Sequence, residues 1–399
     1  MDSHYTDWLS LTLRWVHMIT GVAWIGASFY FNWLENNLER RSPREGLAGD
    51  LWAIHGGGIY HLEKYKLAPP RMPEHLHWFK WEAYFTWITG MLLLAVVFYF
   101  NASAQLLLPG SSMSSLAGVG LGLGSLVVGW FVYDILCDSP LGRKPTLLAL
   151  AIAGLITVSA WGFSQVFGGR GAYMHVGAVI GTIMVGNVFF VIMPAQRALV
   201  SAISEGRPPD PLLPARGLLR SRHNNYLTLP VLFIMISNHF PSTYGSRYGW
   251  AILSGMSAVS VLVRHYFNTR QQSQAFAWAL PVAALAMISF AYVTSPARSG
   301  GGVASGPVSF STVQAIVGAR CITCHSAVPT YAGFAAPPAG VMFDTPELIK
   351  QNAPRMRAQA VAAQIMPLGN LTKMTLEERM LLGAWIDQGA VITPIRGGL

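Results

Sequence analysis

The chain has 399 residues, of which 52% are hydrophobic and only 11% charged, with a formal net charge of +9. Soluble globular chains have about 25% charged residues, so the composition excludes a soluble main body and points to the lipid bilayer. The basic excess needs no nucleic acid to explain it, because loops that face anionic headgroups collect such residues.

Eight apolar runs follow one another at about residues 9–34, 82–100, 116–136, 146–167, 172–194, 226–240, 248–267 and 275–294. Each is near the roughly 20 residues that span a bilayer. They predict an all-α, eight-helix transmembrane bundle over residues 1–295. The run at 226–240 is the shortest and holds Pro230 and Asn238. The N-terminus reads Met1-Asp2-Ser3-His4 without a basic cluster, so the first helix is expected to be retained and no signal peptide is expected.

Basic residues set the orientation. The first connection holds Arg40, Arg41, Arg44, Lys64, Lys66, Arg71 and Lys80. The third holds Arg143 and Lys144, the fifth Arg197, Arg207, Arg216, Arg220 and Arg222, and the seventh Arg270. The even connections hold only Arg170 and Arg247. Odd connections are therefore expected in the cytoplasm and both termini outside. Cys137, at a cytoplasmic helix end, is expected to be a reduced packing residue.

After Thr294 the composition changes. Residues 296–308 are rich in Gly, Ser and Ala and predict a flexible linker; residues 309–399 predict a small soluble domain. Within it, Cys321-Ile322-Thr323-Cys324-His325 has the spacing of c-type haem attachment. A zinc site would need further ligands, yet no Cys follows Cys324 and no His follows His325. One covalent haem c, with His325 as axial ligand, is the expectation. Such haem is attached outside the bacterial inner membrane, which agrees with the charge argument and predicts a periplasmic class I cytochrome c domain. A sixth ligand is usually a methionine. Met366, in the irregular segment Gln364-Ile365-Met366-Pro367, is preferred over Met342, Met356, Met374 and Met380. Thr375 and Glu378 predict a capping box for a last helix with an apolar stripe of Leu376, Met380, Leu381, Ala384 and Trp385.

Polar residues inside a membrane are costly and mark functional candidates. His17 and His175 fall at matching depths in the outer half and could ligate a haem b as a pair; interhelical hydrogen bonding is the plainer alternative. The inner half gathers Glu35, Glu82, Asp134, Asn187, His223, Asn224, Asn225, Arg264 and His265. In the first connection, His55-Gly56-Gly57-Gly58-Ile59-Tyr60 precedes His61, Lys64, Tyr65 and Lys66. The glycines alone suggest a turn. With these neighbours they suggest a backbone cradle for a planar anion.

Four stretches carry a resemblance: Trp24-Ile-Gly-Ala-Ser-Phe-Tyr-Phe-Asn-Trp33, His55-Gly-Gly-Gly-Ile-Tyr60, Leu76-His-Trp-Phe-Lys-Trp-Glu-Ala-Tyr84 and Ser221-Arg-His-Asn-Asn-Tyr226. They resemble the bacterial membrane-bound urate oxidase (urate hydroxylase) family, which joins an eight-helix membrane domain to a C-terminal cytochrome c. The resemblance covers essentially the whole chain. Ile59 departs from it, standing where an aromatic residue is expected. It implies oxidation of urate to 5-hydroxyisourate, with electrons passed to a periplasmic or membrane acceptor such as a cytochrome c oxidase and not to oxygen as peroxide. For a planar monoanion arriving from the cytoplasm, Arg264 and Lys64 are the expected clamp. His55 is the expected base, oriented by Glu82. Gly56, Gly57, Gly58, Tyr60, Asn187, His223 and Asn225 are expected to line the substrate. The long path to an outer haem c calls for the membrane haem b. Two other classes stay open: an electron-relay cytochrome subunit of another dehydrogenase, which needs no small-molecule site, and a transporter with a redox-sensing tail, which calls for repeated broken helices.

Overall fold

The computed structural model describes residues 3–69, 71–246, 248–294, 306–331, 334 and 336–392. The expected linker falls largely outside these residues. The chain is mostly helical, and a helix forms at each of the eight apolar runs. In order these are α1 (Ser3–Asn37) and α2 (Trp81–Leu94), the latter continued by a π-helical turn to Tyr99. After a short α3 (Ala102–Gln105) come α4 (Ser115–Asp138), α5 (Pro145–Ser164) and α6 (Gly169–Gly186). A second π-helical turn, Asn187–Ile192, joins α6 to α7 (Met193–Ser204). Then follow α8 (Leu212–Ser237), a short α9 (Pro241–Tyr244), α10 (Gly249–Thr269) and α11 (Ala279–Val293). Among the described residues, four segments are long and apolar enough to cross a bilayer: Trp81–Tyr99, Ser115–Asp138, Pro145–Ser164 and Gly169–Ser204. The short run at 226–240 takes in the C-terminal part of α8, whose first turns carry Arg216, Arg220 and Arg222. Those charges hid its true start from a hydropathy reading.

α6 is the core of the bundle. Some 61% of its apolar stretch is buried, against 28% or less for the other three such segments. Helices approach it closely because glycines stand at the crossings. A Cβ on Gly129 of α4 would fall 2.7 Å from Val179, one on Gly177 of α6 would fall 2.8 Å from Ile234 of α8, and one on Gly186 would fall 2.5 Å from the Trp130 ring.

The fold is not purely α-helical. Between α1 and α2 lies an antiparallel hairpin, β1 (Leu47–His55) and β2 (Gly58–Tyr65), with His55 opposite Gly58. The glycine triplet makes its turn: Gly56 and Gly57 have φ of +59° and +81°, as a two-residue type I′ turn requires at both central positions.

The C-terminal residues pack around their own core. α12 (Phe310–Arg320), α13 (Pro346–Gln351), α14 (Ala353–Met356) and α15 (Leu376–Asp387) enclose Val317, Ile349, Met374, Leu382 and Trp385. The expected capping box is present: the Glu378 backbone N–H donates to Thr375 and the Thr375 N–H donates to the Glu378 carboxylate.

The glycine crossings generate a prediction. Gly186→Val should lower the melting temperature of the purified protein, because overpacking against a fixed indole costs about 1–3 kcal/mol. Gly154→Ala, where nothing lies within 4 Å, should leave it unchanged or raise it slightly. Equal melting temperatures for both variants would show that Trp130 yields freely.

Candidate functional site

The C-terminal ends of α4 and α10 and the N-terminal half of α8 meet the π-helical turn after α6 in a buried polar cluster. Asn187 opens that turn, a local geometry that recurs at functional sites. Its Nδ2 donates to the Tyr133 hydroxyl at 3.0 Å and to Asn224 Oδ1 at 2.8 Å. Tyr133 lies 2.7 Å from His223 Nδ1. Having accepted from Asn187, the hydroxyl keeps its own proton for the imidazole. Asn224 Nδ2 in turn donates to the Met184 carbonyl at 2.9 Å. The Asn187 carbonyl oxygen is buried and has no hydrogen-bond partner.

Two arginines flank this network in different electrostatic states. Arg220 is buried but paired, 2.7 Å from Asp134 and 3.2 Å from Asp138, with its guanidinium 5.1 Å from the Tyr133 ring centre. Arg264 is also buried. Its Nε donates to Asn225 Oδ1 and its guanidinium stacks 3.7 Å over the Phe29 ring of α1. Asn225 Nδ2 donates to Asn268 at 3.1 Å, which fixes the amide orientation. Among the described residues no carboxylate pairs with Arg264. A buried guanidinium held by one neutral amide lacks the counter-charge that burial normally demands. Near it, Tyr226 lies 2.8 Å from His265 Nδ1.

The sequence-derived site residues do not form one group. Asn187 and His223 share one hydrogen-bonded network with Tyr133 and Asn224, while Arg264 and Asn225 form a second set with Asn268 and Phe29. His55, Gly56, Gly57, Gly58, Tyr60 and Lys64 lie on the hairpin instead. There His55, Gly56, Gly57 and Tyr60 are exposed, and Lys64 Nζ is bound to Glu35 at 2.5 Å. Of the expected Arg264–Lys64 clamp, Lys64 is thus paired with a carboxylate and Arg264 is not, and the triplet makes a turn. Glu82 opens α2, with one carboxylate oxygen buried and unpaired, and is not bonded to His55. Tyr133 was missed. The signal for it is the stripe Gly118, Gly122, Gly129 and Tyr133 on α4, whose members are all buried on one face.

The outer histidines also part. His17 Nδ1 donates to the Thr86 carbonyl at 3.0 Å and lies 3.0 Å from Thr89 Oγ1; its ring stands against Gly90 of α2. His175 is fully buried, with Nδ1 donating to the Gly171 carbonyl at 2.8 Å and Nε2 3.0 Å from the Tyr99 hydroxyl. Trp87 bonds Thr182, so antiparallel α2 and α6 place Gly90 level with about Val179. His17 thus sits about one helical turn (~6 Å) deeper than His175, and they do not face each other.

In the C-terminal region, α12 ends at Arg320 and delivers Cys321, Cys324 and His325 on one turn. Both thiols are free. Burial and the neighbouring Cys324 push the Cys321 thiol up to about 12. Burial holds His325 below its ordinary pKa, and its Nδ1 donates to the Val341 carbonyl at 3.0 Å. That hydrogen bond leaves Nε2 free as a neutral metal donor. Met366 is half-buried beside the core and its carbonyl accepts from Arg379 at 2.6 Å. Met374 is 3% exposed, inside the core.

The family described as urate oxidase N-terminal matches residues 3–295. The chain belongs to that family. Comparisons with curated proteins and with solved structures each returned no match. The family segment takes in the bundle, the hairpin and the whole inner cluster, and stops before Cys321.

Acid tests the C-terminal core. Burial raises the Glu378 pKa, but hydrogen bonds from Arg320 and the Thr375 backbone outweigh it and hold the carboxyl below its usual range. Its contribution is therefore present above the ordinary carboxylate pKa and is lost as pH falls through the depressed value. Hydrogen-exchange protection over α12 and α15, corrected for the intrinsic slowing of exchange in acid, should fall below about pH 4, and Glu378→Gln should flatten that dependence. An unaltered profile would remove Glu378 from the account.

Proposed function

We propose that the chain is a membrane-bound oxidase of urate that sends electrons to a haem and onward to a respiratory acceptor. The observation that carries this reading is Arg264, a buried cation stacked on an aromatic ring and lacking a carboxylate, in the segment that the urate oxidase N-terminal family matches. A planar monoanion supplies the missing charge and suits the guanidinium fork.

The chemistry balances without oxygen as reactant. From urate monoanion and one water, a C5–O bond forms, one proton leaves, and two electrons pass to the acceptor, giving 5-hydroxyisourate. The proton passes through the Tyr133 hydroxyl, which takes it as it gives its own proton to His223 Nδ1. Asn187 and Asn224 hold Tyr133 in place, and the Arg220–Asp134–Asp138 group anchors the same helix end.

Residues 309–399 are proposed to be a cytochrome c domain. The donor set fits haem c: Cys321 and Cys324 for the thioethers, and His325 and Met366 for the axial positions. When bound, such a haem accepts electrons one at a time. For a haem b the fit is partial. His175 has a ligand's second hydrogen bond, but its Nε2 is bonded to Tyr99 and packed against Gly122, and His17 does not meet it, so the pair as placed leaves no room for iron. The eight helices are proposed to span the inner membrane with both termini periplasmic. The basic odd connections support this orientation. So does the contact of the C-terminal region with α3 and α9, which lie in even connections.

Arg264→Lys keeps the charge but loses the fork and the stacking. It should raise the KM for urate at least tenfold while dithionite reduction of the haem stays normal. Tyr133→Phe and His223→Gln should instead lower kcat and shift its pH profile. Peroxide should not accumulate as urate is consumed. Urate-driven reduction unaltered in all three variants would move the site away from this cluster, and stoichiometric peroxide would overturn the acceptor.

A separate expectation concerns the axial ligand. Met366→Ala should abolish the Met–iron absorption band and lower the midpoint potential, whereas Met374→Ala should loosen the core and keep the band. The reverse result would exchange their roles.

A further inference from the structure

We propose that the loop carrying Met366 is the docking face through which the C-terminal region takes electrons from the membrane bundle. The proposal rests on the haem c reading above, and it is drawn from how the two parts touch. Met366 lies midway between two backbone-close contacts. Three residues before it, Ala363 meets Gly245, which follows α9. A Cβ on Gly245 would fall 2.2 Å from the Ala363 Cβ and 2.7 Å from its Cα. Three residues after it, Gly369 meets Ala104 of α3, where a Cβ would fall 2.8 Å from the Ala104 Cα and 3.1 Å from its carbonyl oxygen. In each contact a glycine faces an alanine, one glycine on each side of the interface. Gly245 has a φ of −82°, which any residue adopts, so it is crowding, by Ala363 across the interface and by the Pro241 carbonyl at 2.7 Å, that calls for glycine there.

The bundle surface beneath these contacts leads to the buried outer polar pair. Gly168 N–H donates to the Leu106 carbonyl at 2.8 Å, and Leu106 packs on Gly171. Gly171 accepts from His175, which bonds Tyr99. His175 lies four residues, about 6 Å along the helix, below Gly171. The Met366 loop is thus seated above the deepest-buried imidazole of the bundle's outer half. Arg379 braces the loop from behind through the Met366 carbonyl. The contact is not sealed: a cavity of about 1930 Å³ remains, walled by Arg170, Tyr173 and Tyr244 on one side and Met366, Met374 and Arg379 on the other. Two tight pivots around a roomy interior suit a face that docks for transfer and separates afterwards.

Two variants of the full holoprotein test this. Gly245→Leu places a side chain against the Ala363 backbone without altering the C-terminal core. It should slow urate-driven haem reduction at least tenfold, while the Met–iron band, the midpoint potential and reduction by dithionite stay as in the parent. The pair Ala104→Cys and Gly369→Cys should form a disulfide, read by mass spectrometry as the loss of two free thiols. The cross-linked protein should still be reduced by urate at the parent rate, but should pass electrons more slowly to an added soluble cytochrome c. Wild-type reduction kinetics in Gly245→Leu, absence of the cross-link, or a cross-linked protein that urate no longer reduces would each overturn the proposal. Failure of urate to reduce the parent protein would instead fall on the substrate reading, and the cross-link yield would still decide the docking.

Discussion

Close approach of helices to α6 is the constraint on which the rest depends. Glycines on α4 and α6 let the side chains of Val179, Ile234 and Trp130 lie directly on the facing backbone. Every polar group carried inward must then find a partner in protein. The inner cluster obeys this rule almost throughout: Asn187, Asn224, Tyr133 and His223 satisfy one another. The exceptions stand out against that background. The Asn187 oxygen, one Arg220 nitrogen, the Ser257 hydroxyl and one Glu82 oxygen are buried without partners.

Arg220 and Arg264 make the point by contrast. Both sit at inner helix ends and both are buried. Arg220 has two carboxylates, so its cost is largely offset and it holds α8 to α4. Arg264 has a neutral amide and the face of Phe29. Cation–π contact is worth about 0.5–2 kcal/mol, less than the several kcal/mol that desolvating an ion costs. Under the proposed function a bound anion would complete the set.

Several features were legible in the sequence because they are local. The helices lie where the apolar runs do, the Thr375–Glu378 cap follows from three-residue spacing, and Cys321, Cys324 and His325 need only one turn of chain. Features that depend on pairing between distant segments were not legible. The glycine triplet looked like a ligand cradle because its neighbours were cationic and aromatic; strand pairing from Leu47 to Tyr65 instead puts Gly56 and Gly57 in a turn. His17 and His175 seemed level when counted from span ends, but α1 begins at Ser3 and runs 35 residues, so its depth has no fixed origin in the sequence. Tyr133 escaped notice because a tyrosine near a helix end reads as an interfacial anchor; only the glycine stripe beneath it turns that face inward.

The length of α6 finally sets the terms of the chemistry. Asn187 and His175 are twelve residues apart on α6, or about 18 Å along its axis. The Asn187 network lies at one end of this rod and the His175–Tyr99 pair at the other, beneath the face where the C-terminal region rests. Under the proposed function, urate would be oxidised at the first end and electrons accepted beyond the second, so the packed length between them would keep the two steps apart and charge would cross the bundle as electrons alone.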